Sequence, residues 1–204
     1  MTEKTFNADR DLREAKAMVD ALVPYVYEDA LYGRTGGGLF GGSAMPALTI
    51  GSLLLRLRRL RELDERLSPA QRDQLGQIAK AHDGIMSEWR QHYVEKLHRE
   101  GESRLKAMRT FFDECEESPR QCANIYLPEV VRRTIVQEIV RVLKMLEEPH
   151  DELVKAMRGV DSKLRRFTEP AAFLWEPDLQ MVYPQSEFWW LYAVPPRAET
   201  SKDS

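Results

Sequence analysis

PAQRDQLGQIAKAHDGIMSEWRQHYVEKLHREGESRLKAMRTFFDECEE, from Pro69 to Glu117, is the stretch on which the fold turns. Leu75, Ile78, His82, Ile85, Trp89, Tyr93, Leu97, Leu105, Met108, Phe112 and Cys115 recur mostly in steps of three and four, the spacing of one helical face. Glu95–Arg99, Glu100–Arg104, Glu102–Lys106 and Arg109–Asp113 stand four apart and read as ion pairs along the outer face. Ser68-Pro69-Ala70-Gln71 marks the start, with serine as cap, proline at the first helical position and glutamine at the third. One helix over 69–117 would be about 70 Å long, more than a domain of this size is wide. The spacing therefore predicts a bend near Gly84 or Gly101, or a projecting helix that pairs with another copy of the chain.

The same period extends outward in both directions. Leu12, Ala15, Val19 and Leu22 mark a helix over 7–23, which Pro24 interrupts before two further turns to Tyr32. Leu53, Leu57, Leu60 and Leu67 mark another from Thr49. After Ser118-Pro119, Val131, Ile135, Ile139, Val142 and Leu146 predict a helix over 128–147, with Arg132, Arg133, Arg141 and Lys144 off the buried stripe. Leu153, Met157, Val160 and Leu164 give the last, ending near Phe167. The expected fold is all-α: an up-and-down bundle of four or five helices with one long central helix.

The segment 168–194 is of another kind. With Phe167 it carries eight of the chain's eighteen aromatic residues, together with Pro170, Pro177 and Pro184, and from 167 to 192 it has no lysine or arginine. Such dense apolar bulk predicts a segment wrapped over the bundle as part of the same domain (1–167 plus 168–194). Residues 195–204 are expected to be disordered. Phe188 to Val194 fits a short closing helix or a strand.

Composition narrows the functions open to the chain. Its 204 residues are 43% hydrophobic and 31% charged, with a net charge of −3, so no global field favours nucleic acid. Arg56, Arg58, Arg59 and Arg61 form a short basic run, but acids follow it and no aromatic interleaves it, so it reads as a solvated face or a seat for the acidic C-terminal segment. Gly36 to Leu55 is uncharged and long enough to span a bilayer, yet its glycines and Pro46 make it a glycine-rich loop (33–46) leading into a buried helix. The start, MTEKTFNADR, lacks the apolar core of a secretory signal, and the cytoplasm is the expected compartment.

Three motifs bear on chemistry. Gly36-Gly37-Gly38-Leu39-Phe40-Gly41 fits G-x-G-x-x-G, but a Tyr-rich helix precedes it instead of a strand, and Gly42 stands where a phosphate-binding lysine would be. Glu95-x-x-His98 and Glu147-x-x-His150 are the paired motifs of di-iron and di-manganese bundles, although Pro149 lies inside the second. Cys115 and Cys122 flank the Ser118-Pro119 turn and read as two buried thiols in a reducing compartment.

The stretch Arg109 to Cys115, Arg120-Gln121-Cys122, Tyr126 and Glu129-Val130, with Tyr183-Pro184 and Phe188 to Tyr192, resembles a set of uncharacterised bacterial helical proteins. The resemblance implies a bacterial, intracellular helical protein and supplies no functional residues, substrate or cofactor. The expected function is that of a scaffold or adaptor without a cofactor. It would meet a protein partner through Trp175, Tyr183, Phe188, Trp189, Trp190 and Tyr192, since tryptophan and tyrosine concentrate at interface hot spots, or self-associate along the long helix. The alternative is a metalloprotein using Glu95, His98, Glu147 and His150.

Overall fold

The computed structural model describes residues 6–35, 45–117, 122 and 125–196. The G-x-G-x-x-G stretch, the Ser118-Pro119 turn and the tail from 197 lie outside them. The described chain is mostly helical: α1 (Ala8–Asp20), α2 (Leu22–Tyr27), α3 (Ile50–Glu62), α4 (Pro69–Glu88), α5 (Arg90–Glu117), α6 (Leu127–Met145) and α7 (Asp151–Phe167). None of the described helices is long and apolar enough to cross a membrane. Ile50, Leu53, Leu54 and Leu55, the apolar end of the uncharged stretch, lie in the core.

Local capping signals set three of the helix starts. The Asn7 side chain caps α1 and that of Thr49 caps α3, while Ser68 and Gln71 form a full capping box on α4. The first helix breaks at Ala21, not at Pro24. Proline falls in the first turn of α2, where its missing N–H costs least.

The long helix breaks at Trp89, away from both glycines. His82 on α4 and Tyr93 on α5 show how sharply it turns. Eleven residues of straight helix span about 16 Å, yet the His82 Nε2 and the Tyr93 hydroxyl lie 2.8 Å apart. That distance requires the two helices to fold toward each other. Gly101 serves packing instead, because a Cβ there would sit 2.9 Å from the Leu153 methyl groups, where α7 crosses α5.

α6 is enclosed on several sides. It packs on α3, α5 and α7, and residues 133–136 and 138–140 are all buried. α1 packs on α3 and α4. The joint between α3 and α5 is polar. Glu100, fully buried, accepts a 2.8 Å hydrogen bond from the Gly51 N–H in the first turn of α3. Arg104 donates to Glu100 (2.8 Å), to Thr49 (3.2 Å) and to Ser52 (3.3 Å). A carboxylate is well placed at a helix N-terminus, whose free N–H groups carry partial positive charge. The pair expected on the outer face of the long helix is therefore inside. Gly51 is obligatory for this approach: a Cβ would lie 2.4 Å from Ile135 and 2.6 Å from the Glu100 carboxylate.

Residues 168–196 close on themselves. β1 (Glu169–Pro170) pairs antiparallel with β2 (Ala193–Val194), and Ala171 and Leu174 donate to the Tyr192 and Leu191 carbonyls. Between them lie two short 3-10 turns, Pro177–Leu179 and Trp189–Tyr192, so the stretch expected as a helix or a strand is one turn and then two residues of strand. Cys115 and Cys122 form a disulfide, with their Cα atoms 5.6 Å apart, where the sequence reads as two thiols.

Candidate functional site

The six aromatic residues proposed for docking are not a free surface. Tyr183, Phe188, Trp190 and Tyr192 are buried, and Trp175 and Trp189 are half-buried. What holds them is the basic residues of the helices. The Arg58 guanidinium lies over Phe188 (4.9 Å) and donates to the Val182 carbonyl (2.9 Å). Arg59 lies over Trp175 (5.0 Å) and donates to the Tyr183 hydroxyl (3.3 Å), whose pKa burial pushes up to about 12. Arg133 lies 3.8 Å from the Trp190 ring while gripping Asp161 at 2.6 and 2.9 Å, and Arg165 covers Trp189 at 3.7 Å. A guanidinium over an aromatic face gains from the ring quadrupole, more so when both are out of water. Two members of the arginine run thus seat the C-terminal segment, largely through its rings, and Arg56 pairs with Glu14 on α1.

The two Glu-x-x-His motifs do not meet as a metal site. Glu95 is exposed on α5 and His98 half-buried. α6 ends before the second motif: Glu147 has φ 56°, and the Glu147 and Glu148 N–H groups bond back to the Lys144 and Leu143 carbonyls. This left-handed stop, usually a glycine position, turns Glu147 away from helical register with His150. His150 precedes α7, with its Nδ1 2.8 Å from the Glu148 carbonyl. Among the described residues no three histidine, cysteine, aspartate or glutamate side chains gather as a metal-holding group.

A different place gathers ionisable groups. α3, α4 and α6 diverge around a cleft of about 670 Å3. Leu54, Met86, Val142 and Met145 form its apolar wall; Arg58, Arg61 and Glu62 enter from α3, His82 and Asp83 from α4, and Glu138 and Arg141 from α6. Its size is that of a small-molecule site. Glu138 is only 5% exposed, and its nearest cations stand off: Arg58 Nε at 3.7 Å and Arg141 at 3.4–3.5 Å. The Arg58 Nε–H is buried and reaches no acceptor among the described residues. Arg61 approaches Asp83 only at 3.7 Å. His82 is tied on both sides, to Asp83 through Nδ1 and to Tyr93 through Nε2, each at 2.8 Å.

Burial sets the protonation of both inner groups. Desolvation raises the Glu138 pKa to about 7, against the pull of Arg58, and Glu187 and Glu62 push the same way. Desolvation lowers that of His82, against the pull of Asp83. Because the folded Glu138 pKa lies above its unfolded value, folded protein binds the extra proton, and stability is lost as pH rises from about 4.5 to 7. Glu138→Gln is therefore expected to stabilise the protein at pH 8, by at most about 3 kcal/mol, and to change little at pH 4.5. Urea midpoints at the two pH values measure this, and an equal effect at both would refute the shift.

Sequence reading passed over this cleft, although Glu138 carried a signal. It lies three residues after Ile135 and four before Val142, on the apolar stripe itself. Comparison of the chain with protein-family models, curated proteins and solved structures finds no match.

Proposed function

We propose that this protein is a helical scaffold that acts by binding, and that its site is the cleft between α3, α4 and α6. Its frame in this reading is an up-and-down bundle, and the aromatic segment 168–194 is a fixed wall of the frame, not an arm for a partner. The observation that carries the reading is the state of Arg58 and Glu138 at the cleft: the buried Arg58 Nε–H stops 3.7 Å short of the Glu138 carboxylate and has no hydrogen-bond acceptor among the described residues, while that carboxylate accepts only long bonds of 3.4–3.5 Å from Arg141. Buried polar groups are ordinarily paired, and those left incomplete beside a cavity mark places where a ligand can complete them. An adaptor role through the aromatic residues draws less support, since exposing four of the six would cost the core they fill.

A fragment library screened by thermal shift tests the cleft. Val142→Trp fills it from α6, and Met145→Trp narrows its mouth without touching the core.

 The Met145 side chain is 61% exposed, so that second variant is expected to fold as the wild type does. Fragments that stabilise the wild type and lose their effect in both variants support the reading. Hits that survive both substitutions, or no hits at all, sink it.

A further inference from the structure

The chemistry of the cleft names a class of ligand, on the reading that the cleft is the binding site. Three guanidinium groups, Arg58, Arg61 and Arg141, face it alongside three carboxyl groups, Glu62, Asp83 and Glu138. The guanidinium groups keep their charge at every working pH. Of the three acids, Glu138 is the buried one and its charge is held only by contacts of 3.4 Å and longer, so it is the charge in the wall that can give way. When it does, three cations face two anions, and the Arg58 N–H and Arg61 are left able to bond an incoming anion. The remaining wall is apolar, which suits a ligand with a hydrocarbon body. With three cations facing two anions, a single negative charge brings the wall to electrical balance, so a monoanion matches it.

We propose that the cleft binds a small aliphatic carboxylate, its head group against the arginines and its chain along Leu54, Met86 and Val142, and that Glu138 takes up a proton as it binds. The groups that face Glu138 bear on this from every side: Arg58 and Glu62 on α3, His82 and Asp83 on α4, Arg141 on its own helix, and Tyr183 and Glu187 on the C-terminal segment. His82 does not compete in the relevant range. Burial lowers its pKa, so it carries less charge in this range than a free imidazole, and the proton uptake between pH 6.5 and 8 is assigned to Glu138.

Titration calorimetry of the full chain with octanoate tests the proposal, with octanol and octylamine as neutral and cationic probes. Octanoate is expected to bind one to one and more tightly than either. Linkage to a group titrating near pH 7 makes its affinity about eightfold weaker at pH 8 than at pH 6.5. Repeating the pH 8 titration in buffers of different ionisation heat should show close to one proton taken up. Glu138→Gln should bind with the same affinity at both pH values, and Met145→Trp should bind more weakly than the wild type. Octanol or octylamine binding as tightly as octanoate, and blocked by Met145→Trp, overturns the carboxylate while leaving the cleft as the site. Octanoate binding that ignores Met145→Trp, or that is the same at both pH values, overturns the proposal. No binding of any probe overturns it too, and the fragment screen then decides the cleft separately.

Discussion

Glu100→Ala is expected to lower the unfolding free energy by about 3–5 kcal/mol, the range for removing one partner of a buried ion pair. The carboxylate does two jobs at once. It satisfies the Gly51 N–H in the first turn of α3, and it holds the charge of Arg104, which is itself 8% exposed. Alanine leaves that guanidinium buried with only the Thr49 and Ser52 hydroxyls as acceptors. Since whole domains are stable by about 5–15 kcal/mol, such a loss is a large fraction of the total. Urea denaturation followed by circular dichroism measures it. The double variant Glu100→Leu/Arg104→Met should be less destabilised than Glu100→Ala, because no charge is then stranded. If Glu100→Ala costs under 1 kcal/mol, the joint between α3 and α5 does not depend on this pair.

Trp190→Ala is expected to cost about 3–5 kcal/mol, as large aromatic deletions in cores do. The indole is 1% exposed, its N–H donates to Thr134 on α6 at 3.0 Å, and Arg133 covers its face. Arg133 keeps Asp161, so the loss is one of packing and of the stacking contact, not a stranded charge. The same substitution should open the segment 168–194 to limited proteolysis. Met181→Ala, at a position 59% exposed, serves as the control and should stay within about 0.5 kcal/mol of wild type. A Trp190→Ala protein as stable and as protease-resistant as that control would mean the segment is not part of the wall.

The Glu100–Arg104 pair shows how the helical period was legible while its meaning was not. Tyr93, Leu97, Glu100, Arg104, Met108, Phe111 and Cys115 follow one another in steps of three and four, and all are buried. By spacing alone the two charged residues sit on the seam. Their side-chain types pointed outward, since an i,i+4 glutamate–arginine pair is ordinarily solvated, and only the N-terminus of α3 arriving from 49 residues away makes a buried carboxylate affordable. Glu138 and Arg133 on α6 follow the same pattern: a charged residue on a face that tertiary neighbours enclose.

The break at Trp89 was foreseen as a necessity of length and misplaced in position. Glycine permits a bend, but here the bend is set by what His82 and Tyr93 bond across it, and that contact has no signature in local sequence. The paired Glu-x-x-His motifs fail for a local reason that spacing conceals: a left-handed residue ends α6 inside the second one.

The sequence by itself determined that the chain is helical, where most helices begin and end, and which apolar stripes turn inward, because period, caps and prolines act over a few residues. Tertiary structure alone decided which charges are buried, what the arginines of α3 and α6 stack upon, and that α3, α4 and α6 leave a cleft between them. Those outcomes depend on groups brought together from 28 to 124 positions apart. Their energies come from desolvation and from the geometry of the partner, neither of which a residue carries in its own neighbourhood.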